Sequence, residues 1–150
     1  MEINGKDMYF IAVKALVRDD DKLLITHDVF KSWDIPGGRI KKVEFQKPLV
    51  DVLNRKLKEE LGNAIQYEIG NVVTTFSVER DEVGMKSRAR IFAIGYEVRY
   101  IGGSINLGEN HDKYRWVSIA NFKPNVLFKD GWEKGLEDYL DSIKSSKLVH

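Results

Sequence analysis

The stretch from Pro36 to Gly62 most constrains the fold, because it places a turn and a helix in a fixed order. A glycine pair at 37–38 predicts a tight turn. Pro48 suits the first turn of a helix, and apolar residues recur at helical spacing from there to Leu61. Gly62 is typical of a helix C-cap. We therefore expect a glycine turn followed by an amphipathic helix that ends at Gly62.

The predicted helix groups charged residues near its C-terminal end. Glu59 lies four residues after Arg55, and Glu60 follows it directly. Residues at this spacing share one helical face, and carboxylate oxygens are the ligands that Mg²⁺ prefers. An isolated acidic pair on a helix is usually a solvated surface. The preceding glycine pair, Glu44 and Arg55 favour a metal site instead.

These residues, in this order, resemble the Nudix box, a glycine-to-glycine signature of hydrolases that act on nucleoside diphosphates linked to another moiety. The resemblance implies dependence on Mg²⁺, with Mn²⁺ as an alternative. It also implies that Arg55 orients the glutamates. The metal ligands that it implies are Gly37 or Gly38 through a carbonyl, and the side chains of Glu44, Glu59 and Glu60.

The chain departs from the family pattern at two points. Ten residues lie between Glu44 and Arg55, three more than in the family, and this insertion lengthens a loop. Lys56 stands where the family has a glutamate. It lies one helical turn from Glu59 and Glu60, so we expect it to crowd the metal face or to contact a substrate phosphate.

A second motif, the octapeptide ENHDKYRW at residues 109–116, follows the box. It is similar to a segment of the GDP-mannose mannosyl hydrolases within the Nudix family, and Asn110 favours that subgroup over the diadenosine tetraphosphate hydrolases. The resemblance implies that His111 is a general base, directing water at a sugar carbon. It also implies that Arg39 lies beside the diphosphate. The alternatives are a solvated histidine and an exposed strand-edge arginine.

Three further functions stay open from the sequence. Lys14 and His27 fall where the mannosyl hydrolases keep an acid and an arginine, which leaves GDP-mannose itself in doubt and keeps another nucleoside diphosphate sugar open as the substrate. Attack at phosphorus would give a pyrophosphohydrolase of dinucleoside polyphosphates or nucleoside triphosphates. If Lys56 neutralises the glutamates, the chain is instead a catalytically inactive nucleotide-binding domain.

The overall composition fits one domain spanning residues 1–150. The net charge of +1 makes nucleic acid an unfavourable partner, and the absence of cysteine excludes thiolate chemistry and disulfides. No secretory signal and no long apolar run are visible, so we expect a cytoplasmic protein without a membrane partner. The expected partner is a small nucleotide substrate, and a homodimer stays open.

Hydrophobic periodicity predicts an α+β chain. A second amphipathic helix is expected over 129–144. The order of elements resembles the Nudix fold, an α/β/α sandwich with a mixed, largely antiparallel sheet. The predicted strands are Tyr9–Val17, Lys22–Thr26, Trp33–Ile35, Gln66–Glu79, Arg88–Tyr100 and Tyr114–Val117.

Overall fold

The computed structural model describes residues 2–148. Its helices are α1, Leu49–Leu61, and α2, Asp130–Leu148, with short 3₁₀ turns at Lys42–Glu44 and Pro124–Val126. Neither these helices nor any other within residues 2–148 is long and apolar enough to cross a membrane. The strands are β1 Glu2–Ile3, β2 Lys6–Asp7, β3 Phe10–Asp19, β4 Lys22–Asp28, β5 Trp33–Asp34, β6 Gly37–Arg39, β7 Gln66–Arg80, β8 Ala89–Gly102 and β9 His111–Ser118.

The main sheet is mixed and centred on β3. Strand β3 runs parallel to β8 and antiparallel to β6, and a tight hairpin joins it to β4. Strand β7 pairs antiparallel with β8, while β5 and β9 both pair antiparallel with β4. Strands β1 and β2 form a separate small hairpin. Among the described strands of this sheet, β3 and β8 pair parallel and the other pairs are antiparallel, so the predicted mixed, largely antiparallel sheet is confirmed.

Both faces of β3 are buried, each under a different helix. Its residues Ala12 and Leu16 belong to the core that includes Leu136 of α2. The alternate residues, among them Val13, pack in the second core with Leu57 of α1. Because side chains alternate across a strand, an almost unbroken apolar run serves both layers. The predicted α/β/α sandwich is thereby confirmed.

The structure corrects the expected glycine turn. Residues Gly37–Arg39 form strand β6, in which Gly38 pairs with Val13 of β3. Gly37 has a φ of 137°, and a Cβ placed there would lie 2.1 Å from the carbonyl oxygen of Val13. Gly37 therefore allows the two backbones to approach closely.

Strand β9 and the N-terminal hairpin also differ from the sequence predictions. Strand β9 begins at His111, three residues before the predicted Tyr114. The polar residues at its start pair with the end of β4, across a bulge between His27 and Asp28. The β1–β2 hairpin was not predicted, because a two-residue strand has too few positions to show alternation.

Candidate active site

Arg55 holds the 3₁₀ turn against helix α1. Its Nε and Nη2 atoms each donate a 2.7 Å hydrogen bond to the carboxylate of Glu44, which is 4% exposed. The Lys41 amide donates a further bond of 2.9 Å to that carboxylate. These donors, Arg55 first, lower the pKa of Glu44 to about 2. Glu44 therefore has the Arg55 guanidinium as its partner.

Arg55 and Lys56 share the neighbouring carboxylate of Glu59. Arg55 Nη1 donates to Glu59 Oε1 at 2.9 Å, and Lys56 Nζ donates to Oε2 at 3.2 Å. The Lys56 ammonium also lies 3.7 Å from Glu60 Oε2. The helical spacing thus produces the predicted acidic face, with Lys56 lying between its two carboxylates.

Glu60 is the most enclosed acid of this face, at 7% exposure. The backbone amide of Gly37 donates a 3.2 Å hydrogen bond to its Oε1 atom. Burial raises the pKa of Glu60, although the positive charges of Lys14 and Lys56 oppose that rise. This hydrogen bond connects the backbone of β6 at Gly37 to the Glu60 carboxylate of helix α1.

The loop before β9 brings His111 to this face. The amides of Asn106 and Gly108 donate to the carbonyls of Leu61 and Glu60, at 2.9 and 3.1 Å. These carbonyls at the end of α1 have no partner within the helix, so the loop caps them. His111 then lies with Nε2 3.8 Å from Glu60 Oε1, and its side chain is only 8% exposed. The sequence could suggest this contact only through the family resemblance.

The cavity at this point has a volume of about 260 Å³. Its walls come from the C-terminal end of α1 and from the capping loop. The lining residues are Lys56, Glu59, Glu60, Gly108, Glu109, Asn110 and His111.

The Arg39 side chain contacts the β7–β8 loop, unlike the other predicted site residues, which lie near the acidic face of α1. Its Nη2 donates a 2.7 Å hydrogen bond to Glu82 in the β7–β8 loop, and its guanidinium lies 5.0 Å from the ring centre of Phe10. Its carbonyl oxygen still accepts a 3.3 Å bond from Arg55. The backbone of Arg39 thus belongs to the box, while its side chain reaches the loop.

An ion pair between buried Lys14 and half-buried Asp34, beside the site, was not predicted. Lys14 is 4% exposed, and its ammonium lies 3.2 Å from Asp34 Oδ1 and 4.8 Å from the ring centre of Trp132. Lys14 of β3 pairs with Gly37 of β6. Its positive charge favours the ionised form of Glu60 and so opposes the rise in the pKa of that group. The available signal was a single lysine inside an apolar strand, since a buried ammonium requires a partner.

A second unpredicted pair joins β4 to the octapeptide motif. His27 Nδ1 lies 2.7 Å from Asp112 Oδ1, and the His27 ring packs edge-on against Trp33 at 5.0 Å. Asp112 lies at the register shift in the β4–β9 pairing, between His111 and Lys113, which pair with Asp28 and His27. His27 is thus paired with Asp112, whereas His111 lies beside Glu60 of helix α1.

The fit of this site to a metal depends on Glu59 and Glu60. Among the residues that the structure describes, no group of three or more acidic or histidine side chains is arranged to hold a metal ion. Glu44 is committed to Arg55. Mg²⁺ commonly binds through one or two carboxylates, with waters and substrate phosphates as its other ligands. Glu59 and Glu60 match that pattern, provided that Lys56 moves away.

Comparison with known families identifies the class of protein. Residues 8–136 match the NUDIX domain family. The chain therefore belongs to the Nudix family, and the predicted class of Nudix-type hydrolase is confirmed. Hydrolases of this family act on nucleoside diphosphate derivatives and generally use divalent metals. No curated protein matches the sequence.

Solved structures show the same fold at low identity. A MutT protein from Methanosarcina mazei Go1 is 21% identical with a TM-score of 0.68, covering 93% of this chain and 95% of that one. An ADP-ribose pyrophosphatase from Streptococcus suis is 21% identical with a TM-score of 0.63, covering 90% and 92%. A UDP-X diphosphatase has a TM-score of 0.68 at 11% identity, and the alignment covers 94% of this chain but 66% of that protein.

Proposed function

We propose that this chain hydrolyses a nucleoside diphosphate linked to a sugar, and that water attacks the sugar carbon. The observation that carries the proposal is the position of His111, whose Nε2 atom lies 3.8 Å from the Glu60 carboxylate. Glu59 and Glu60 would bind Mg²⁺ or Mn²⁺ through their carboxylates. Bound metal would neutralise the diphosphate and make it a better leaving group.

His111 suits the role of general base. Its Nδ1 atom is buried without a hydrogen-bond partner among the described residues, and its Nε2 edge faces the cavity wall formed by Glu60. A neutral imidazole can take a proton from water near pH 7. The residue that usually follows the box arginine is a carboxylate, and Lys56 at that position cannot serve as a base while protonated. His111 is the replacement that we propose.

Two cations would stabilise the departing diphosphate. Lys56 already lies at the carboxylate face. Arg39 would reach the substrate after exchanging Glu82 for a phosphate, because the two anions can accept the same guanidinium bonds. Positive charge beside the leaving oxygen is worth most in the transition state, when negative charge develops there.

A second candidate is attack at phosphorus. One structural neighbour is named an ADP-ribose pyrophosphatase and another a MutT protein. Those names support nucleoside diphosphate derivatives as the substrate class. Because each neighbour is only 21% identical to this chain in sequence, the likeness itself shows only a shared fold. Under this candidate the substrates would be dinucleoside polyphosphates or nucleoside triphosphates.

Hydrolysis in ¹⁸O-labelled water separates the two candidates. A panel of nucleotide sugars, dinucleoside polyphosphates and nucleoside triphosphates with Mg²⁺ first identifies an accepted substrate. With a nucleotide sugar, we expect the label in the free sugar and none in the phosphate. The variant His111→Gln should slow this reaction by about 10²–10⁴-fold, while thermal unfolding checks that the variant is folded.

Label in a phosphate product would instead support the phosphorus-attacking group. A panel without any turnover, combined with tight nucleotide binding, would support the inactive nucleotide-binding domain. The observation that favours this last outcome is the Lys56 ammonium, which already neutralises the carboxylates at 3.2 and 3.7 Å.

A further inference from the structure

Lys56 occupies the position between Glu59 and Glu60, and its neighbour Gly38 makes room for it. A Cβ on Gly38 would lie 2.4 Å from Lys56 Cε and 3.0 Å from Nζ. The aliphatic stem of Lys56 therefore lies directly on the backbone of β6. Its ammonium reaches one oxygen of each glutamate, at 3.2 and 3.7 Å.

We propose that Lys56 and a divalent cation occupy this position in turn, and that an anionic substrate drives the exchange. Without substrate, the ammonium neutralises Glu59 and Glu60 and weakens the binding of metal. When a diphosphate enters, Lys56 moves to it and the metal takes the vacated carboxylates. This inference rests on the proposed use of a nucleoside diphosphate, and it adds the order in which metal and substrate bind.

The charges at this face support an exchange rather than a fixed ion pair. Arg55 remains on Glu44 and Glu59 through hydrogen bonds of 2.7 to 2.9 Å, so it is held in place. Lys56 makes a single longer bond at 3.2 Å and lines the cavity. A lysine side chain is flexible, and its ammonium has no preferred planar geometry to lose. Of the two cations, Lys56 is the one free to move.

The first measurement is the affinity for metal without nucleotide. Binding of Mn²⁺, followed by electron paramagnetic resonance of the free ion, should be at least about tenfold tighter in Lys56→Met, because the competing charge is removed. Lys58→Met is the matched control, since it removes the same charge from an exposed position of the same helix. Its affinity for Mn²⁺ should stay near that of the wild type.

The second measurement is the affinity for a diphosphate without metal. Methylenediphosphonate, which resists hydrolysis and has no base or sugar, should bind Lys56→Met at least about tenfold more weakly than wild type in calorimetry with EDTA. Lys58→Met should again match the wild type. Opposite shifts for the two ligands support the exchange, because general damage to the site would weaken both.

The inference is overturned if Lys56→Met binds Mn²⁺ no more tightly than wild type. It is also overturned if wild type and Lys56→Met bind methylenediphosphonate equally. Neither measurement requires turnover, so a chain that fails every substrate of the panel can still show the exchange. Conversely, an active enzyme in which Lys56→Met shifts neither affinity contradicts the exchange and leaves the proposed hydrolysis standing.

Discussion

Two adjacent glycines have different tasks in this site. Gly37 lets β6 approach β3, because any side chain there would meet the Val13 carbonyl oxygen at 2.1 Å. Gly38 has no side chain and so leaves room for the aliphatic stem of Lys56. The first glycine is therefore required by the backbone and the second by a side chain. Since Gly37 also donates to Glu60, the backbone constraint fixes the position of the acidic face.

We expect Gly37→Ala to lower the free energy of unfolding by about 2–5 kcal/mol, as the sum of left-handed backbone strain and overpacking. The control is Gly84→Ala. Gly84 also has a positive φ, 88°, but nothing lies within 4 Å of its Cβ position. That variant should lose only the strain of about 1–2 kcal/mol. Urea denaturation measures both, and equal losses would contradict the close contact at Gly37.

At the residue scale, the sequence was most informative where partners are local. The helical spacing of Arg55 and Glu59 was sufficient to predict their contact. Lys14 and Asp34 lie 20 residues apart, and Arg39 and Glu82 lie 43 apart. Such pairs depend on which strands become neighbours and on the path of the loops, and hydrophobic periodicity specifies neither.

At the scale of elements, the site depends on a loop that caps a helix. The chain from Asn106 to His111 crosses the end of α1 and donates amides to two of its carbonyls. Gly108 lies so close that a Cβ would be 2.2 Å from the Glu59 carbonyl oxygen. The same contact that completes the helix therefore positions His111 beside Glu60. The sequence predicted the helix end at Gly62, but it could not show which segment caps it.

Gly108→Ala should disturb this docking and displace His111. We expect kcat/KM on the substrate identified in the panel to fall by about 10²-fold, the usual cost of misplacing a catalytic group by an ångström. Gly102→Ala is the control, because its Cβ position has only the Gln66 side chain nearby, at 4.0 Å. Steady-state kinetics measure the effect, and unchanged turnover in Gly108→Ala would show that the loop does not position the base.

At the scale of the whole molecule, β3 joins two separate cores. One core contains Leu136 of α2 and the other contains Leu57 of α1, and alternate residues of β3 belong to each. The strand also has its backbone paired with β6 and β8. Neither core can open without exposing one face of this strand. The apolar period of α1 and α2 was sufficient to predict two amphipathic helices. The α/β/α arrangement of the layers was expected only from the resemblance to the Nudix fold.

We therefore expect the molecule to unfold in one transition, with both cores lost together. Leu57→Ala and Leu136→Ala each remove a side chain that is no more than 1% exposed, so each should cost about 2–5 kcal/mol. Far-ultraviolet circular dichroism and tryptophan fluorescence should give the same midpoint in urea for both variants. Lys144→Ala, at an exposed position of α2, should stay within about 0.5 kcal/mol of wild type. Two separate transitions, with Leu136→Ala shifting one and Leu57→Ala the other, would show that β3 does not couple the two layers.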